Sequence, residues 1–313
     1  MVHFPTIGVI DIGSNSIKSL VASRDDRGGI TTQLARTIDA RISAGIGHAR
    51  PRLSEDGMQR GLEAIRELLG DAAPFAPERM VLVATSAVRD AANGVEFAKR
   101  IQTATGYELR ILSGDEEANL IGRGLTADPQ LANLEDFYVF DLGGGSLECL
   151  AFRGRKVEQA ISLPLGCVRL TERCVENPEE PFGERDRLRV TAVCREGFAK
   201  SGFGFVLPPG SGAVFAGGTV TTVRAIIGAK AGVPVSDTSP VVSIGALRAL
   251  LDETATQPLA ARKQIPGLPA ARADVFPTAL ATVLAVADIG GFNSFLHSFH
   301  NLRYGLAAEL LQG

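Results

Sequence analysis

The stretch Asp141-Leu142-Gly143-Gly144-Gly145-Ser146-Leu147-Glu148 sets two carboxylates around a turn that consecutive glycines strip of side chains. Before it, Phe137-Tyr138-Val139-Phe140 is an apolar run of strand type, and Leu147 to Phe152 resumes another, so the glycines occupy a hairpin turn. With no Cβ at Gly143, Gly144 or Gly145, successive backbone N–H groups can close on an anion, and Ser146 adds a hydroxyl donor. The arrangement reads as a phosphate grip, with Asp141 ending its strand at the same spot. Alone, a glycine-rich turn of this kind is ordinarily only a hairpin.

A second copy of the pattern adds weight. Ile7-Gly8-Val9-Ile10 leads into Asp11-Ile12-Gly13-Ser14-Asn15-Ser16, and Ile17 to Ala22 again reads as strand. Two such hairpins, far apart in sequence, are expected to face one another across a cleft. Neither is a P-loop or a dinucleotide fingerprint, because no Gly-Lys-Ser/Thr follows either turn and neither turn opens a helix. Ser14, Asn15 and Ser16 offer neutral donors in succession, although such a row also builds plain Asx turns.

The chain has 313 residues, 45% of them apolar, and a formal net charge of −3. That describes an ordinary globular protein with room for two domains and no global field to attract nucleic acid. Met1-Val2-His3-Phe4-Pro5 runs straight into the first strand, so no leader is expected, and no apolar run reaches membrane-spanning length. Cys149, Cys167, Cys174 and Cys194 show neither zinc-site pairing nor disulfide density, which suggests reduced thiols and a cytoplasmic location. His297 and His300 lie three apart without a third ligand in view, and surface or capping roles are expected for them.

Along the chain, Thr31 to Ile42 reads as a third strand that closes the first meander. Ser54 is a candidate N-cap before Met58, Leu62, Ile65, Leu68 and Leu69 at helical spacing. Met80 to Ala84 reads as a fully buried strand, Val95 to Thr103 as helix, Tyr107 to Leu112 as strand and Asp115 to Gly124 as helix. Thr126-Ala127-Asp128-Pro129-Gln130 is the candidate linker. Phe137 to Asp141, Leu147 to Phe152 and Lys156 to Leu163 then repeat the meander. Helices follow at Val168 to Val175 and Arg185 to Lys200, then a strand at Ala213 to Ala216 and the turn Gly217-Gly218-Thr219 opening a helix. Ile244 to Leu251, Ala271 to Ala287 and Leu302 to Leu311 complete a mainly helical remainder. The two halves look like one duplicated α/β unit, with domain one over residues 1–125 and domain two over 126–313; the last helix is a candidate to return to the first domain.

Asp141 and Glu148 could both face a divalent ion at the second turn, since hard oxygens suit Mg²⁺ and phosphates would complete its ligands. Equally, Asp141 could cap the turn and Glu148 could be a solvated strand residue. Asp115 and Glu116, in a first helical turn, are explained by the helix dipole. Thr85-Ser86-Ala87-Val88-Arg89 could present Arg89 to an oxyanion, or Arg89 could be an ordinary salt-bridge partner.

Taken in order, Asp11-Ile12-Gly13-Ser14-Asn15-Ser16, Thr85 to Arg89, Ser113-Gly114-x-Glu116-Glu117-Ala118, Asp141 to Glu148 and Gly217-Gly218-Thr219 resemble the motifs of the exopolyphosphatase and guanosine pentaphosphate phosphohydrolase family. The resemblance runs from residue 7 to Leu302-Arg303-Tyr304-Gly305-Leu306. It implies two duplicated actin-like, ribonuclease H-like α/β domains with a cleft between them. It also implies Mg²⁺-dependent, or otherwise divalent-cation-dependent, release of phosphate from inorganic polyphosphate, with guanosine pentaphosphate as the alternative substrate. On the same resemblance Glu117 is the catalytic glutamate that deprotonates the attacking water, and Arg89 is a phosphate-contacting arginine. Asp141 and Glu148 are the metal acids; Gly13, Ser14, Asn15, Ser16, Gly143, Gly144, Gly145 and Ser146 form the phosphate hairpins. Arg41 matches the arginine at a strand end, and Gly217, Gly218 and Thr219 the superfamily's nucleoside-side turn.

Ser43 and Ala44 stand where the family usually carries an acid. Longer members add a C-terminal helical domain, and this sequence stops at Gly313, so action on shorter polymers is expected. Neither nucleic acid nor membrane is an expected partner, and a homodimer is one open assembly. Two rivals stand beside the hydrolase: an actin-fold kinase or ATPase sharing both hairpins, and a non-catalytic phosphate sensor, which would be expected to have lost the acids.

Overall fold

The computed structural model describes residues 5–26, 28–48 and 50–312; the expected entry of Met1 to Phe4 into the first strand lies outside them. In chain order the elements are β1 (Ile7–Ile12), β2 (Ile17–Arg24), β3 (Ile30–Ile38), α1 (Glu55–Ala72), β4 (Arg79–Ala84), α2 (Ser86–Arg89), α3 (Gly94–Thr105), β5 (Leu109–Ile111) and α4 (Gly114–Thr126). There follow β6 (Phe137–Leu142), β7 (Leu147–Arg153), β8 (Lys156–Leu163), α5 (Cys167–Cys174), α6 (Glu184–Ser201), β9 (Gly212–Ala216), α7 (Gly218–Ala231), β10 (Val241–Ser243), α8 (Ile244–Ala255), α9 (Leu259–Arg262), α10 (Phe276–Gly290), β11 (Ser294–His297) and α11 (Leu302–Gln312). Two compact units result: one runs to Ala132 and resumes at His300, and the other spans Asn133–Phe299.

In the first unit the sheet order is β3-β2-β1-β4-β5. Short turns join β1, β2 and β3 antiparallel, whereas β4 and β5 lie parallel to β1 and need the crossovers that α1 and α3 supply. Central β1 is buried at every position and edge β3 at none. The second unit repeats the plan, with meander β6-β7-β8, β9 parallel to β6 and β11 parallel to β9, plus an antiparallel edge strand β10. Both units therefore have the duplicated actin-like α/β architecture expected from the sequence. No helix among the described residues is long and apolar enough to cross a membrane.

Ser54 caps α1 as expected, accepting from Gly57 N–H at 3.0 Å. Other expectations are corrected. The third strand ends at Ile38, four residues short, because Ile38 already pairs with Ile17, the first residue of β2, and Arg41 beyond it takes a left-handed φ of 44°. The strand Met80 to Ala84 is not fully buried: Met80 and Val81 are half-buried, and only Leu82, Val83 and Ala84 are enclosed. The helix expected from Ala271 starts at Phe276, with Pro277 in its first turn, where a missing N–H costs nothing. Strands β10 and β11 were not foreseen; at three and four residues they are too short to carry a period.

Candidate active site

In the first unit, α4 is opened by a reciprocal cap: Ser113 Oγ accepts from Glu116 N–H at 3.1 Å, and Glu116 Oε2 accepts from Ser113 N–H at 2.8 Å. Arg110 and these bonds pull the Glu116 carboxyl down to about 2, so its role is local, as expected. One residue on, a helix turns by roughly 100°, and Glu117 falls on the face shared with Leu120, Ile121 and Gly124. Glu117 is 5% exposed. A carboxylate buried there needs a partner, and Arg89 provides it, donating through Nη1 to Glu117 Oε2 at 2.8 Å and to the Leu112 carbonyl at 3.0 Å. The two residues assigned to catalysis thus stand side by side.

The first hairpin joins this cluster through Ser14, whose Oγ lies 3.4 Å from Ser86 Oγ at the start of α2. Its turn closes with Gly13 N–H on the Ser16 carbonyl at 3.2 Å. The carbonyl groups of Ser14 and Asn15 accept from Ser43 Oγ at 3.0 Å and from Arg41 N–H at 2.8 Å. Arg41 therefore meets the hairpin through its backbone, and the expected loss of an acid at Ser43 is answered by a hydroxyl that holds the turn. Asp11 is paired across the ladder with Lys18. Its Oδ1 is buried without a hydrogen-bond partner, and burial raises its carboxyl above the usual range against the lowering charges of Lys18 and Arg303.

In the second unit Asp141 and Glu148 are directly opposite across β6 and β7, which places both side chains on one face of the sheet. They are 9% and 2% exposed, so neither is a solvated strand residue. Glu148 Oε1 accepts from Ser162 Oγ at 2.8 Å. Like charges directly opposite repel unless other contacts offset them. Among the described residues no cluster of three His, Cys, Asp or Glu side chains is placed to hold a metal. Two carboxylates with substrate phosphates and water suit Mg²⁺, which rarely takes an all-protein cage.

The glycine turn packs on the start of α5. Cys167 N–H donates to the Gly143 carbonyl at 3.0 Å, and Val168 and Arg169 N–H to the Gly144 carbonyl at 2.9 and 3.1 Å. Arg169 Nε donates to the Gly145 carbonyl at 2.8 Å. Across a trans peptide the C=O and the next N–H point in opposite directions. Anchoring these carbonyls on α5 therefore aims the N–H groups of Gly144, Gly145 and Ser146 away from it together. None of the three donates to an acceptor among the described residues. The geometry is that of an anion nest.

Gly217 has φ 88°, and a Cβ there would stand 2.2 Å from Asp141 Oδ1, so the third turn abuts Asp141. Gly218 opens α7 with the Arg272 guanidinium over it; a Cβ would meet Nη1 at 2.1 Å. Thr219 is buried behind. Thr221 Oγ1 donates to the Gly217 carbonyl at 2.9 Å and stands 3.1 Å from His297 Nε2, while Arg224 Nη1 is 2.9 Å from His297 Nδ1. The surface or capping role expected of His297 is therefore wrong: it is 1% exposed, inside the second unit. His300 is in the first unit, 3.4 Å from Asp128.

Sequence reasoning missed Lys18, Arg169 and Arg272, and noted Ser43 only as the place of an absent acid. Of the three, only Lys18 left a signal, being seven residues after Asp11 as Glu148 is after Asp141.

Three solved structures share the whole architecture. The PPX-GPPA enzyme of Aquifex aeolicus is 26% identical over 98% of this chain and 100% of its own, with a TM-score of 0.78. An exopolyphosphatase-like protein is 26% identical, covering 98% and 99%, with a TM-score of 0.85. An exopolyphosphatase from Cytophaga hutchinsonii shares the fold at 22% identity, covering 98% of each chain, with a TM-score of 0.87. The model of the Ppx/GppA phosphatase family matches residues 20–312, and with that match over nearly the whole length, this chain belongs to the Ppx/GppA phosphatase family.

Proposed function

We propose that the protein is an exopolyphosphatase, hydrolysing the terminal phosphoanhydride bond of inorganic polyphosphate and releasing orthophosphate. The observation that carries this reading is the buried Glu117 carboxylate held at 2.8 Å by Arg89 in a chain of a phosphatase family. Glu117 takes a proton from water as the water oxygen bonds to the terminal phosphorus. The bridging oxygen leaves on a chain one phosphate shorter. A general base in that role supplies about 10²–10⁴ in rate. Arg89, the donors of residues 13–16 and the N–H groups of Gly144, Gly145 and Ser146 bind phosphoryl oxygens. Phosphoryl transfer asks for little beyond such positioning and charge neutralisation.

Asp141 and Glu148 would hold Mg²⁺, which supplies Lewis-acid charge neutralisation when bound. Arg41 braces the first hairpin through its backbone. Gly217, Gly218 and Thr219, beside Asp141, would add contacts to phosphate. The Arg272 guanidinium packs over Gly218 at this turn, and guanosine pentaphosphate, which presents the same terminal anhydride, stands as the alternative substrate.

Orthophosphate release is to be measured side by side from polyphosphate and guanosine pentaphosphate, each with and without Mg²⁺ and with no acceptor present. Release from polyphosphate that needs Mg²⁺ is expected. Silence on both substrates would overturn the hydrolase in favour of a kinase or a sensor.

A further inference from the structure

Three peptide planes orient the donors of the second hairpin, and they are not held in the same way. Backbone N–H groups of α5 fix the Gly143 and Gly144 carbonyls. The Gly145 carbonyl is fixed by a side chain, Arg169 Nε, at 2.8 Å. Arg169 is only 9% exposed, so its guanidinium is a buried positive charge behind the turn. No side chain fits between the turn and α5: a Cβ on Gly166 would stand 2.3 Å from backbone atoms of Gly145. The N–H groups at the start of α5 are spent on the hairpin and are not themselves an anion site.

We infer that Arg169 is a positioning residue for substrate, holding the Gly145–Ser146 peptide so that Ser146 N–H is presented to a phosphoryl oxygen. This rests on the phosphoanhydride hydrolase reading and adds to it a residue that touches no substrate atom. The planar guanidinium donates in a fixed direction, which an ammonium on a flexible stem does not reproduce. Without Arg169 the third peptide is free to rotate, and Ser146 N–H leaves the nest. One charge-assisted hydrogen bond to phosphate is then lost, and the buried charge behind it is lost as well.

The test uses the full chain with Arg169→Met and Arg169→Lys. For polyphosphate in Mg²⁺, KM should rise by about 10- to 100-fold in Arg169→Met, with kcat falling by less, and Arg169→Lys should lie between it and the parent. Amide hydrogen exchange in imidodiphosphate, whose bridging nitrogen resists hydrolysis, gives the second readout. The parent should show protection at Gly144, Gly145 and Ser146, and Arg169→Met should lose it at Ser146 while keeping it at Gly144. An unchanged KM, or equal protection in both proteins, overturns the inference. Should neither variant fold, the parent alone decides, since absent protection at Ser146 also overturns it. A parent that releases no phosphate from polyphosphate sinks the hydrolase reading instead, which is a separate result.

Discussion

Arg89 Nη1 donates to Glu117 Oε2 across 2.8 Å, joining the end of α2 to the first turn of α4 through two side chains that are 22% and 7% exposed. The pair explains how a carboxylate stays inside the first unit, and it separates chemistry from stability. Glu117→Gln should lower the rate of phosphate release by about 10²–10⁴-fold while substrate affinity changes little. Single-turnover kinetics with equilibrium binding checks both, and a normal rate would remove Glu117 from the role. Arg89→Met should cost about 1–3 kcal/mol by removing the arginine that pairs with a buried carboxylate, a figure discounted because Arg89 keeps contact with solvent. Combining the two should recover much of that stability and none of the rate.

Asp141 and Glu148 oppose one another on a single face of the sheet, the arrangement on which the proposed metal role rests. In Asp141→Asn the Mg²⁺ concentration for half-maximal activity should rise by about tenfold or more. An unchanged Mg²⁺ requirement in this variant would contradict the assignment.

Gly217→Ala adds a methyl 2.2 Å from Asp141 Oδ1 at a residue with φ 88°. The carboxylate must move, and displacements of about 1 Å in a phosphoryl-transfer site can cost about 10² in rate. The loss should appear in kcat under saturating Mg²⁺, with far-ultraviolet circular dichroism unchanged.

Packing of the last helix gives a contrast between two glycines. At Gly305 a Cβ would stand 1.8 Å from the Leu120 carbonyl of α4, whereas at Gly70 nothing lies within 4 Å. Gly305→Ala should therefore destabilise by about 1–3 kcal/mol as α11 is pushed from α4. Gly70→Ala, in the open interior of α1, should stabilise by about 0.5–1 kcal/mol. Urea denaturation of the two variants checks the pair of signs.

Asp11 supplies the pH dependence. Burial raises its carboxyl in the folded protein above the unfolded value of 3.8, so the native state holds its proton more tightly. Its contribution to stability is fully present below the unfolded value and is lost as pH rises through the folded one. Asp11→Asn should thus raise Tm at pH 7, by about 2–4 °C for each kcal/mol relieved, with the advantage vanishing below about pH 4. An equal effect at both pH values would exclude the linkage.

Much of this was legible in the residues. The repeated Asp-x-Gly turn between apolar runs located both hairpins, and Ser54 marked the start of α1. Glu117 was singled out by family resemblance alone, since an acid in a first helical turn is locally indistinguishable from a partner of the helix dipole. His297 was misread because two histidines three apart gave no sign that a strand and not a helix would carry the first of them inward. Arg169 and Arg272 look like any other arginines until the chain is folded.

What the residues determined by themselves is what neighbours a few positions apart can encode: the side-chain-free turns, the caps, the alternation of strands with helices, and hence the duplicated α/β plan. Tertiary structure alone decided which carboxylate finds an arginine, which glycine yields space to Asp141, and which way the peptides between Gly143 and Ser146 face. Those outcomes depend on contacts between segments tens of residues apart, where close packing and the need to satisfy every buried charge and carbonyl choose the partner, and no local pattern records that choice.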